Sequence, residues 1–430
     1  MGRTGEILVG LDIGTTKVAA VVGEIREDGA IDIIGVGNSP SFGMSKGMVV
    51  HADQTTDAIK RAIREAEQMT GCTITAVYCN VSGGHLKSFN NRGVVSIGGD
   101  GRVSAKDIDR VIENARAVQI PADRQIIHTV PQEYLVDEND GYEDPLQIMG
   151  SRLQANVHII TALNSGVENV RQCPDRAGLH VQRIYSGLLA SSNAVLTRDE
   201  MELGVVMVDI GGGTTEVAVW HNRALVHSAV LPYGGDHLTH DIATGLRTPR
   251  QEAERIKIMH GCALSSMVDD SEVIKVACVG GRNPMERPRT LLCDIIEPRL
   301  EEVFRLVERE IQASNFADLL GSGVVVTGGT ALMDGIVELG EDVMNQPVRV
   351  GKPHPNPKGI IGANSGAAFT GGLSGLYDIV KAPSYSTAVG LLQLGAAEEP
   401  PKPKRGWWWP PKGPWFKNLK GYVANAWADH

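Results

Sequence analysis

Asp12-Ile13-Gly14-Thr15-Thr16-Lys17 and, nearly two hundred residues later, Asp209-Ile210-Gly211-Gly212-Gly213-Thr214 each set an acid, then glycine, then small hydroxyl residues at the end of an apolar run. That pattern suits phosphate chemistry. Only glycine-rich turns flanked by Thr or Ser let backbone N–H groups approach the β- and γ-phosphates of a nucleotide closely. Each aspartate ends its strand aimed at the same spot, and two carboxylates tolerate each other there only around a cation. Mg2+ fits that requirement, held mainly through water and bridging to the phosphates. Lys17 can neutralise phosphate charge from the first turn. A third run, Gly323-Val324-Val325-Val326-Thr327-Gly328-Gly329-Thr330-Ala331, ends in Gly-Gly before a helix expected near Leu332, where a flat ring or ribose can reach the backbone. Any one of these segments alone is more often an ordinary turn. All three in this order point to a nucleotide cleft.

Residues 7–22 and 205–219 share one design, an apolar run, a tight glycine turn and a second apolar run, and both read as β-hairpins. Two such hairpins imply a duplicated domain with the cleft between its halves. The 430 residues, 42% of them hydrophobic, suffice for at least two cores. Cys72, Cys79, Cys173, Cys262, Cys278 and Cys293 show no C-x-x-C or metal-type spacing and read as small buried hydrophobes in a reducing compartment. The first residues lack the basic and apolar parts of a signal peptide, and no stretch reaches the roughly 18 apolar residues of a spanning helix. A cytoplasmic protein is expected.

The net charge of -10 is unevenly spread: from Pro401 onward the chain carries +5, leaving -15 on the remainder. A body so acidic is expected not to bind nucleic acid. A basic tail on it suggests an anionic surface as the tail's partner. Residues 396–412 are rich in Pro and charge and read as an extended tether. Residues 413–430 then read as an amphipathic helix, with Pro414 in its first turn. Trp415, Leu419, Tyr422, Val423 and Ala426 recur at spacings of three or four, with Phe416 and Trp427 at the margins and Lys417 and Lys420 beside them. Gly421 weakens the helix in water, so a surface would complete it. A helix docking on the protein's own core is the alternative; the linker, the tryptophans and the lysines favour an interfacial membrane helix.

The ordered set of Asp12–Lys17, Asp209–Thr214 and Thr327–Thr330 resembles the actin, sugar kinase and heat-shock chaperone ATPase superfamily. Within it the chain is most similar to the bacterial cell-division family FtsA, through Gly187-Leu188-Leu189-Ala190-Ser191-Ser192, residues 253–263, Ile295-Ile296-Glu297-Pro298-Arg299 and Tyr385-Ser386-Thr387-Ala388-Val389-Gly390-Leu391-Leu392. The resemblance implies an α/β fold, the actin-like duplicated ribonuclease-H-like pair of lobes, with an FtsA-type inserted subdomain 1C and a C-terminal amphipathic helix. The implied layout is subdomain 1A over 1–83, 1C over 84–163, 1A again over 164–200, 2A over 201–233, 2B over 234–310, 2A over 311–359 and a return to 1A over 360–395.

By the same resemblance Asp12 and Asp209 face Mg2+, Gly14, Thr15, Thr16, Lys17, Gly211, Gly212, Gly213 and Thr214 grip the phosphates of ATP, and Gly328, Gly329 and Thr330 border the adenosine. Glu254 and Lys257, three apart on one helix face, would reach the ribose and adenine edge, although a plain surface ion pair has the same spacing. In 2B, Arg282, Arg287, Arg289 and Arg299 lie among few sequence-neighbour acids. They read either as a solvated face or as the dock for an acidic C-terminal peptide of the tubulin-like protein FtsZ, with Arg299 foremost. Subdomain 1C reads as an interaction module for self-association into filaments and for later division proteins, with His85, His128 and His158 too scattered for a metal site. The stretch Tyr185 to Ala190 offers no acid or amide to position an attacking water. Glu216 is a possible substitute, so tight ATP binding with slow hydrolysis is expected. The implied function is an actin-like polymer that tethers FtsZ filaments to the cytoplasmic face of the inner membrane at the division septum. A pilus-assembly adaptor of the same fold, or a metabolite kinase, is the alternative.

Overall fold

The computed structural model describes residues 5–280, 283–355, 360–361, 368–369 and 371–398. The tail segment 413–430 with all its membrane-facing residues, most of the tether and Arg282 lie outside them.

Strands Glu6–Ile13 and Lys17–Ile25 form the first hairpin, pairing Ile13 with Val18 across the Gly14–Thr16 turn. Most residues in the middle of this pair are buried, because helices cover both faces of the sheet. The sheet runs His180–Ser186, Ala76–Val81, Glu6–Ile13, Lys17–Ile25, Ile31–Pro40 and Leu373–Gly375. A second sheet of five strands repeats the arrangement: Val348–Val350, Val324–Thr327, Val205–Ile210, Thr215–His221 and Ala224–Leu231. In each, an antiparallel hairpin and its third strand sit beside two parallel strands, and each aspartate is the penultimate residue of its central strand. The duplication read from the hairpins is thus a duplication of whole sheets, each over its own apolar core.

Two helices lie at the lobe junction. Gly187–Val195 and Ser386–Glu398 cross so closely that a Cβ at Gly390 would stand 1.8 Å from the carbonyl oxygen of Ala190. Glycine is required there to bring Ser191 and Thr387 together under the second glycine turn. The second helix also revises the expected start of the tether. Ala396 and Ala397 pack against the first core and Glu398 pairs with Arg183, so Ala396–Glu398 are the helix's last residues.

Between Ala76–Val81 and helix Asn164–Arg176 sits the inserted module. Its four-stranded sheet has the order Lys87–Ser96, Arg152–Leu163, Arg124–Val136 and Asn139–Tyr142, with helix Ala105–Arg116 across one face. Ser104 and Asp107 form a capping box at that helix's start. Val103, Val111, Ala115, Leu153 and Ile159 give the module a core of its own. The three histidines are buried: His158 bonds Asn90 and Ser228, and His128 accepts the amide hydrogen of Ser186. Burial drives His128 and His158 down to about 3, so both are neutral.

The helix expected near Leu332 begins later. Gly329–Leu332 form a single 3-10 turn, Met333 is extended, and the α-helix is Ile336–Met344 after Gly335 at φ 75°. Residues 334 and 335 are held against Cys262 and Leu264, which breaks the helix at that point. Among the described residues no helix is long and apolar enough to cross a membrane.

Candidate functional site

The two glycine turns meet across the lobe junction. Gly14 N–H bonds the Lys17 carbonyl at 3.0 Å and Gly211 N–H bonds the Thr214 carbonyl at 2.9 Å, closing both turns. They interlock, since a Cβ at Gly212 would lie 2.4 Å from Thr16 Cγ2 and one at Gly213 2.6 Å from Thr15 Oγ1. Together with the Gly328–Thr330 segment they line a cavity of about 450 Å3, inside the range of small-molecule sites. The lining includes Asp12, Gly14, Thr15, Thr16, Lys17, Asp209, Gly211, Gly212, Gly213, Thr214, Glu216, Glu254, Lys257, Gly328, Gly329 and Thr330. Those residues are drawn from four separate stretches of chain between positions 12 and 330. Gly329 is open to the cavity: a Cβ built on it meets no atom within 4 Å.

Carboxylates concentrate around the two glycine turns. Asp12 accepts from Asn80 Nδ2 at 2.7 Å, Asp209 accepts from Ser191 Oγ at 2.6 Å and Thr387 Oγ1 at 3.5 Å, and Glu216 accepts from Ser82 Oγ. Burial raises Asp12 to about 6, with Lys17 opposing and Asp209 reinforcing the shift. Burial raises Asp209 as well, opposed by its two hydroxyl donors. Glu216 reaches about 8, through burial first and then the negative charge of Asp209. Burial also lowers Lys17, which Asp12 opposes; its Nζ donates to the Ser384 carbonyl at 2.8 Å and lies 3.9 Å from the Tyr385 ring centre. Three buried acids against one lysine is a donor set that calls for a cation. Among the described residues no three His, Cys, Asp or Glu close around a metal, so Mg2+ would be held at Asp12 and Asp209 largely through water and phosphate oxygen.

Glu254 and Lys257 form the ion pair their spacing allows, but on the cavity wall and not on an open surface. They pair at 2.7 Å, and Lys257 also bonds Thr239 and the Gly235 carbonyl, yet both line the cavity. Ile258, Met259, Leu332 and Met333 beside them supply an apolar slot that sequence spacing did not single out. Asn80 and Ser82 were also missed. Ser191 and Thr387 stand inside stretches that carry the family resemblance, but their contact with Asp209 arises only when the two junction helices cross.

The arginines of the other proposed site lie elsewhere and are less free than the sequence suggests. Arg299 pairs with Asp241 at 2.6 Å and with Glu302, and Arg289 pairs with Glu272 at 2.9 Å. Asp241 and Glu272 come from other elements, while Glu302 lies one turn further along the helix of Arg299. Arg287, on the hairpin strand Met285–Pro288, makes no ion pair among the described residues.

Glu216 yields a direct test. A carboxyl raised in the folded state stabilises fully below its unfolded value near 4.5 and loses that contribution as pH rises through about 8. Without ligands, the melting temperature should fall between pH 6 and 9. Glu216→Gln, which keeps a partner for Ser82, should flatten that fall by on the order of a few degrees; equal slopes in differential scanning calorimetry would refute the assignment.

Comparison with known proteins adds the following. Residues 206–390 match the family model "Cell division protein FtsA", and residues 83–161 match "SHS2 domain inserted in FTSA". The chain is 44% identical to Cell division protein FtsA of Pseudomonas aeruginosa over 92% of its length and 91% of the relative's. It is 41% identical to that of Escherichia coli K12, covering 91% and 90%. Among solved structures, a PilM-PilN type IV pilus biogenesis complex chain matches with a TM-score of 0.63 at 17% identity, covering 91% of this chain and 99% of the other.

Proposed function

The chain belongs to the FtsA family of cell-division proteins, and from there we propose that it binds ATP with Mg2+, polymerises on the cytoplasmic face of the membrane and tethers FtsZ filaments there. The observation that carries the nucleotide half is the convergence of both glycine turns, the Gly328–Thr330 segment and the buried acids on one cavity. In this reading the turns hold the phosphates, Gly328, Gly329 and Thr330 border the adenosine, and Glu254 and Lys257 reach the ribose. Bound Mg2+ would supply positive charge to the phosphates. Glu216 sits where it could orient a water, but its proton is held near neutral pH, which favours slow hydrolysis.

The tethering half rests on family membership and on the apolar and basic tail. The module at residues 84–163 would serve contacts between subunits and with later division proteins. For the FtsZ peptide, an acidic ligand would meet Arg287 directly and compete with Asp241 and Glu302 for Arg299. Arg287→Glu should weaken peptide binding about tenfold with ATP affinity unchanged. Arg299→Gln should weaken it less and lower stability by about 1 kcal/mol, because Asp241 loses its partner. Peptide affinity unchanged in both variants, measured by fluorescence anisotropy, would remove the dock from this surface.

The whole reading is tested by mixing purified protein, ATP-Mg2+ and anionic liposomes, with and without the FtsZ C-terminal peptide, and imaging the vesicles. ATP-dependent polymers on the vesicle surface that recruit the peptide are expected; bare vesicles would refute it. A pilus-assembly adaptor remains the fold-level alternative, and preferential binding of a pilus-machinery peptide would favour it.

A further inference from the structure

A short hairpin between the first sheet and helix Ala52–Thr70 pairs Met44–Ser45 with Met48–Val49, leaving Lys46 and Gly47 as its two turn residues. Both have positive φ, 48° and 75°. Two-residue turns of that kind favour Asn-Gly, because an unbranched side chain on a left-handed residue is strained unless it is short and polar. Lys46 is a long, charged side chain at such a position.

The turn is wedged between the two phosphate loops. Gly47 N–H donates to Thr15 Oγ1 at 3.2 Å in the first loop, and a Cβ at Gly213 in the second would come within 3.0 Å of Lys46 Cα. Behind it, Gly83 allows the Lys46 carbonyl to approach. The Lys46 side chain is exposed and forms no ion pair among the described residues. Its charge nonetheless reaches His237, at the start of the helix behind Gly211–Gly213, where after burial it is the next cause lowering that imidazole. The cavity is lined by five carboxylates, Asp12, Asp209, Glu216, Glu254 and Asp334, while Lys257 is engaged by Glu254 and Lys17 by the Ser384 carbonyl.

We propose that Lys46 binds the terminal phosphate of a nucleoside triphosphate, its ammonium brought over the junction of the two loops by the hairpin turn. This rests on the nucleotide reading of the cavity. A diphosphate offers no group at that point, so Lys46 distinguishes the two nucleotides without contributing to what they share.

The test compares Lys46→Asn and Lys46→Arg with the parent, titrating ADP and a non-hydrolysable ATP analogue in the presence of Mg2+ by calorimetry. Lys46→Asn should lose about tenfold in triphosphate affinity, as for one charge-assisted hydrogen bond, and bind ADP within about twofold of the parent. Its melting temperature without nucleotide should be equal or higher, since Asn suits the turn. Lys46→Arg should keep most of the preference. An unchanged triphosphate-to-diphosphate ratio in Lys46→Asn would overturn the proposal, as would a parallel loss of both affinities together with melting temperature, the signature of a merely structural turn. A parent protein that binds neither nucleotide would overturn the cavity reading itself, and this proposal with it.

Discussion

Gly329→Asp should abolish ATP binding while leaving the fold intact. A Cβ at Gly329 meets nothing within 4 Å and the position is not left-handed, so the backbone accepts a side chain and the carboxylate enters the cavity. There it would displace the adenosine and stand as an uncompensated charge against a polyanionic ligand. A buried unpaired charge costs about 3–5 kcal/mol, so affinity should fall at least about a hundredfold. Asp209→Ala is the complementary change. It frees Ser191 and Thr387 and relieves repulsion on Asp12 and Glu216, so the ligand-free protein should be no less stable, yet Mg2+ should no longer strengthen nucleotide binding. A fluorescent ATP analogue titrated with and without Mg2+ reads both variants; parent-like affinity in both would show that the cavity is not the nucleotide site.

Removing residues 413–430 should leave ATP binding at the parent value and reduce pelleting with anionic liposomes by more than about tenfold. The deleted segment holds the apolar stripe and none of the cavity-lining residues. Five partly inserted side chains at about 1 to 1.5 kcal/mol each, with about 1 kcal/mol for each lysine near anionic lipid, give one subunit weak and reversible binding. Several tails on one polymer would multiply it. Trp415→Glu should act nearly as strongly, because a carboxylate would have to enter the acyl boundary. Reversing Lys417 and Lys420 should instead matter most on anionic vesicles at low salt, where screening is least. Truncated protein that still pelleted would indicate that the tail packs on the body.

Much of this was legible in the linear chain because it is dictated locally. A tight glycine turn between two apolar runs specifies a hairpin, so Asp12–Thr16 and Asp209–Thr214 declared both the hairpins and their duplication. Paired with Thr327–Thr330, they also marked the segments that line the cavity. The inserted module followed from the family resemblance and not from its own residues; the Ser104 cap was seen only in the fold. What stayed hidden were relations between distant residues. Asn80 reaches Asp12 because strand Ala76–Val81 lies alongside Glu6–Ile13, and Ser82, just past that strand, reaches Glu216 of the second sheet. Thr387 meets Asp209 only because a glycine lets two helices cross. Arg289 and Arg299 looked unopposed in sequence, yet Glu272 and Asp241 neutralise them across the fold. Lys46 gave no signal in its own segment, since its neighbours in the chain are not its neighbours at the phosphate loops. Backbone turns and amphipathic patterns follow from short-range sterics and periodicity, which a sequence states outright. The charge balance of a buried site is a sum over groups that only the packing of two lobes brings within a few ångströms of one another, and there the tertiary structure decides.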